Sequence, residues 1–128
     1  MRRLTITAFV LFTLGALAPI AYAAKTHRVD ARGKITVDSS GARIELRGNP
    51  FKRCTGFRIP TGRKTGLMQA TCTHGTVVVS TKETNANGSK GTWKVVSGTK
   101  RYRRAKGSGR YTGSYATLKI RFRGTARF

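Results

Sequence analysis

Between Ala116 and Phe128 the chain alternates with a period of two. Even positions, Ala116, Leu118, Ile120, Phe122, Gly124, Ala126 and Phe128, are apolar or small; odd positions, Thr117, Lys119, Arg121, Arg123, Thr125 and Arg127, are polar and mostly cationic. Side chains on a strand point alternately to opposite faces, so this parity separates a dry face from a charged one. An antiparallel sheet with a core on one side and water on the other accounts for it. The same period runs back to Lys34, and no window of a dozen residues carries a helical stripe. The chain is expected to be all-β.

Turn signals divide the remainder into short strands. Ile35 and Val37 alternate before Asp38-Ser39-Ser40-Gly41, and Ile44 and Leu46 alternate after it, which predicts a hairpin. A strand over Cys54 to Ile59 is expected to turn Phe57 and Ile59 to one side. Leu67–Thr73 and Thr76–Lys82 flank the turn pair His74-Gly75, and Thr92–Ser97 puts Trp93 and Val95 on one face. Gly107–Ser114 and Ala116–Phe128 complete a set of about eight strands joined in sequence order, the spacing of a sandwich or an up-and-down barrel. Fifteen glycines favour tight barrel corners. The expectation is a single small antiparallel β-barrel lined by Ile35, Val37, Ile44, Leu46, Phe57, Ile59, Val77, Val79, Trp93, Val95, Leu118, Ile120 and Phe122. A slip of one residue in any strand would exchange its faces.

Met1-Arg2-Arg3, an apolar run from Leu4 to Ala18 and the ending Ala21-Tyr22-Ala23 have the three parts of a secretory signal peptide. Residues 1–23 are therefore expected to be removed, leaving a barrel domain over residues 24–128, secreted or held in the periplasm or cell envelope. No second apolar run follows, so no transmembrane segment is expected in the mature form. Export makes a Cys54–Cys72 disulfide the expected state of the two cysteines, and closing a loop of ~18 residues contributes ~3 kcal/mol in the chain-entropy model.

The segment from Gly91 to Gly109, GTWKVVSGTKRYRRAKGSG, resembles the strand, Gly-rich turn and Ala-x-Gly-x-Gly strand of the allene oxide cyclase and dirigent barrels, especially small secreted bacterial members. The resemblance implies an eight-stranded antiparallel barrel. Ser97 and Lys100 stand where that family usually has glycines. Catalysis is not carried over, because Asp38 falls in a turn and Glu45 on the parity opposite Ile44 and Leu46.

Charge decides the functional reading. Lys and Arg total 26 against four Asp and Glu, a net charge of +22. All four acids, Asp30, Asp38, Glu45 and Glu83, follow the leader. Lys100, Arg101, Arg103, Arg104, Lys106 and Arg110 cluster just before the stripe of Lys119, Arg121, Arg123 and Arg127. If the last two strands pair, these ten cations share one wall and one rim, with Tyr102, Tyr111 and Tyr115 among them to stack on bases or sugar rings. Arg32, Arg47 and Arg63 read as scattered. The expected partner is an anionic polymer or surface: a cell-envelope polymer, nucleic acid or acidic polysaccharide.

Two alternatives differ in class. A barrel holding a small apolar ligand would have an interior cavity where the binding-surface reading has a filled core. A ribonuclease-like hydrolase would need an acid and a base converging on one phosphate, and His74 with Glu83 is the pair on offer. His27 is expected in a frayed start. No metal-ligand spacing or cofactor fingerprint is found, and no catalytic residue is expected.

Overall fold

The computed structural model describes residues 24–39 and 41–128; the expected leader, residues 1–23, lies outside the described residues, as does Ser40 of the first turn. Eight antiparallel strands run in sequence order: β1 (Thr26–Asp38), β2 (Gly41–Asn49), β3 (Lys52–Pro60), β4 (Thr65–Cys72), β5 (Gly75–Glu83), β6 (Lys90–Gly98), β7 (Lys106–Ser114) and β8 (Lys119–Arg127). Each pairs with its neighbours, and β8 pairs with β1 to close the barrel. Closure removes the exposed edges that a strongly twisted open sheet of this size would leave.

The final strand keeps its expected parity but not its expected start. Ile120, Phe122, Gly124 and Ala126 face inward, while Ser114 pairs with Lys119, so Tyr115 to Leu118 form the turn. Leu118 takes the left-handed conformation at φ 53°, which bends the chain out of the strand there. At the other terminus the expectation of a frayed start fails. β1 begins at Thr26, His27 pairs with Ala126, and the His27 ring stacks on Phe128 at 4.3 Å.

β3 is inverted relative to expectation. Cys54 and Gly56 are buried and Arg58 points inward, whereas Phe57 and Ile59 are 50% and 49% exposed on the outer surface. The disulfide sets this register. Cys54 lies opposite Cys72 at a Cα separation of 4.0 Å, and the bond is formed as expected. Both sulfurs belong to the inner face, so Gly56 and Arg58, at the same parity, must follow Cys54 inward. β4 answers with Met68 and Ala70, buried core residues beside Val29, Ala31, Tyr102, Tyr111 and Ala126 that the expected lining lacked.

The interior has two unlike ends. At one, the short 3-10 helix Lys100–Tyr102 folds across the opening and drives Tyr102 into it, leaving that residue 1% exposed. Its ring meets Phe51 edge-on at 5.2 Å and Phe128 at 5.1 Å. Lys100 adopts φ 52°, the left-handed backbone that glycine supplies most easily, at one of the positions where the resembled family has glycine. The middle of the barrel is filled by Leu46, Met68, Val79, Trp93 and Phe122, around a residual void of about 40 Å³. The Trp93 indole N–H donates to the Arg123 carbonyl at 3.1 Å, which satisfies the one polar atom of a large buried ring. The other end is open. Ile35, Ile44 and Ile120 line it as expected, but Val37 and Leu118 stand at its rim, 67% and 38% exposed.

Candidate functional site

Strand register turns the outward parity of β7, β8, β1 and β2 into rows of cations. Lys106 stands opposite Arg127, and Arg110 opposite Arg123. Across the barrel wall Arg121 faces Arg32, Arg32 faces Arg47, and Arg47 faces Arg53, a row of four arginines on consecutive strands β8, β1, β2 and β3. Lys119 faces Lys34 in the next row. Neighbours in a row are about 4.8 Å apart along the hydrogen-bonding direction, and rows are about 6.8 Å apart along the strands.

Of the expected cations, Lys106, Arg110, Lys119, Arg121, Arg123 and Arg127 lie on this wall. Lys100, Arg101, Arg103 and Arg104 lie on the plug that closes the adjoining end. The Arg101 guanidinium sits over the Phe128 ring, 5.7 Å from its centroid. Arg32 and Arg47 are not scattered; they extend the wall by two strands. Sequence parity within β1 and β2 carries that information, but only the β8–β1 closure brings it beside Arg121.

Two acids interrupt the wall. Glu45 stands opposite Lys34. Asp30 takes a two-pronged bond from Arg121, Nε at 3.0 Å and the terminal nitrogen at 2.9 Å. That hydrogen bond, with Arg123 and Arg32 nearby, holds the Asp30 carboxyl below its ordinary value of 3.8. The pair's contribution to folding is therefore present above that value and is lost as pH falls through the folded pKa. Arg121 is thus already partnered, while Arg110 and Arg123 flank a shallow groove with Thr112, floored by Gly109 and Gly124. A second groove, bounded by Arg32, Ser114 and Lys119, adjoins it at Thr112 and Arg121.

The tyrosines do not serve as expected. Tyr102 and Tyr111 are buried in the barrel, and only Tyr115 is exposed, at the rim of the open end. No protein-family model, no curated protein and no solved structure matches this chain.

The open end forms a cup of about 240 Å³, so the interior is filled at one end and hollow at the other. A polar trio stands on its wall. Arg58 Nε donates to Thr81 Oγ1 at 3.2 Å, Thr81 Oγ1 donates to the Gly66 carbonyl at 3.3 Å, and an Arg58 terminal nitrogen lies 3.6 Å from Glu83 Oε1. The Tyr111 ring lies over Gly91, where a side chain would collide with it, and burial raises its phenol pKa. Sequence reasoning missed this trio. Val77, Val79, Thr81 and Glu83 share one parity, which is the signal that places Thr81 and Glu83 inside; Arg58 was hidden by the apolar Phe57 and Ile59 on either side.

His74 lies in the turn before β5 and Glu83 at its far end, with the strand spanning about 27 Å between them at ~3.4 Å per residue, so they do not converge on one phosphate. Among the described residues no group of three His, Cys, Asp or Glu is placed to hold a metal ion, and no helix is long and apolar enough to cross a membrane.

Proposed function

We propose that this protein is a secreted or envelope-located, non-enzymatic binding protein that associates through its cationic wall with a linear polyanion. The observation that carries the reading is the register. Like charges directly opposite one another in a sheet are destabilising. Arg121–Arg32, Arg32–Arg47, Arg47–Arg53, Arg110–Arg123, Lys106–Arg127 and Lys119–Lys34 all stand in that relation. A chain needing charge only for solubility gains as much by dispersing it over the barrel. Concentrating it is offset by an anion whose charges lie between the rows. Cell-envelope polymer, nucleic acid and acidic polysaccharide share that chemistry, and the described residues contain no reading helix to select a base sequence. The allene oxide cyclase and dirigent resemblance is retained as a proposal of common fold, supported by the barrel topology.

Two variants test the wall against diffuse charge. Replacing Arg110 and Arg123 by Ser should weaken heparin and duplex DNA binding at least tenfold more than replacing Arg63 and Lys64 in the β3–β4 loop. Asp30→Asn should tighten binding at low salt, because it frees the Arg121 guanidinium; a gain cannot come from misfolding. Equal losses in the two double variants, together with no gain from Asp30→Asn, would refute a wall-centred site.

A further inference from the structure

The hollow end of the barrel is independent of the wall, since its lining comes from the inward parity of the same strands. Ile35, Ile44, Ile120 and Phe122 make it apolar, and the β5–β6 and β7–β8 connections frame its mouth with Ser89, Tyr115 and Leu118. The Ser89 carbonyl accepts from the Gly113 N–H at 2.6 Å, which fastens the β5–β6 connection to β7 at the mouth. Val37, Tyr115 and Leu118 are exposed large apolar groups gathered at this one rim. Exposed apolar groups scattered singly need no explanation; gathered around a cavity they mark an entrance.

Inside, Arg58 and Glu83 stand as an ion pair in a mostly apolar cup. Their side chains are only 31% and 21% exposed. Replacing such a partly dehydrated ion pair by apolar side chains is commonly neutral or stabilising, so stability alone does not account for it. A guanidinium and a carboxylate side by side present donors next to acceptors with no net charge. A carboxylate ligand would meet Glu83, and an ammonium would meet Arg58. A neutral group that both accepts and donates satisfies the two together.

We propose that this cup binds a small neutral molecule with an apolar body and one head group that both donates and accepts hydrogen bonds, an alcohol or primary amide, read by Arg58 and Glu83. Size bounds the body. An apolar cavity of about 150 Å³ admits benzene, which scales to about ten non-hydrogen atoms for this cup. The head group would accept from Arg58 and donate to Glu83, leaving Thr81 to hold the guanidinium in place.

The test uses three probes of matched size, benzamide, benzoate and cumene, titrated against the protein by NMR. Benzamide should bind roughly tenfold or more tighter than either of the others, the worth of hydrogen bonds to charged groups. Arg58→Met should reduce benzamide to the affinity of cumene while leaving cumene unchanged. Glu83→Gln should reverse the order of benzamide and benzoate. Ala42→Phe, at the rim and away from the polar pair, should abolish binding of all three with an unchanged melting temperature. Cumene binding as tightly as benzamide, benzoate binding tightest to the parent protein, or Ala42→Phe leaving binding intact would each overturn the proposal. Should Arg58→Met fail to fold, Glu83→Gln and Ala42→Phe still decide it. None of these probes is a polyanion, so the cup and the wall fail or stand separately.

Discussion

Raising salt from 50 to 200 mM should weaken binding of this protein to duplex DNA by about 10³ to 10⁵, the loss expected when six to ten phosphates are neutralised. The range follows from the wall. Arg110, Arg123, Arg32, Arg47, Lys119, Lys106 and Arg127 lie on outward positions of four adjoining strands. Each cation seated against a phosphate releases a condensed counterion, and the logarithm of affinity falls by about 0.9 per contact for each tenfold rise in salt. Arg121 contributes less than its position suggests, because Asp30 already holds it. Asp30→Asn should therefore steepen the slope by about one contact. A slope corresponding to one or two contacts would mean that the wall does not act as a unit.

The second large effect concerns the plug. Tyr102→Ala should destabilise the barrel by about 3–5 kcal/mol, the usual cost of deleting a buried aromatic ring. Domains of this size have about 5–15 kcal/mol in total, and each kcal/mol moves the melting point by roughly 4–8 °C, so the shift should be obvious in a thermal melt. The reason is position. Tyr102 is the most deeply buried large side chain of the barrel, and it holds the aromatic cluster of Phe51 and Phe128 against the disulfide end. Tyr102→Phe keeps the ring and should cost far less.

The same residue gives an alkaline signature. Burial raises the phenol pKa of Tyr102, and that of Tyr111, above the ordinary value of 10.0. The unfolded chain then loses these protons first, so stability is intact below that value and declines as pH rises through the folded pKa values. Tyr102→Phe should remove its share of the decline. A melting point that falls as steeply above pH 10 in Tyr102→Phe as in the parent would show that Tyr102 is not the group responsible.

How much of this was legible beforehand depends on which kind of information each part rests on. Period two is local, so the β-strand content, the turns and the outward cations of β8 can be read directly from Lys119 to Arg127. The Cys54–Cys72 pairing was legible because the chain has only two cysteines and its first residues read as a leader. Facing is harder where both parities carry apolar groups. In β3, Phe57 and Ile59 outvoted Cys54 and Gly56, and the disulfide, not hydrophobicity, decides that contest. Tyr102 was misplaced for a similar reason. It sits among Arg101, Arg103 and Arg104, and only the 3-10 turn buries one side chain of the segment while the cations stay in water. In the arginine row, Arg32, Arg47 and Arg53 follow from parity on consecutive strands, and only the step to Arg121 has no sequence signature, being made by barrel closure between segments about ninety residues apart, the separation of Arg121 and Asp30 being 91.

The inverted β3 has one more effect. Exposed Phe57 and Ile59 on β3 and Val96 on β6 lie on the half of the barrel away from the β8–β1 seam. A molecule laid on an anionic fibre by its arginines therefore shows its oily flank to the medium, and a coated fibre should shed water more readily than a bare one. A contact angle that drops on coating would contradict this orientation.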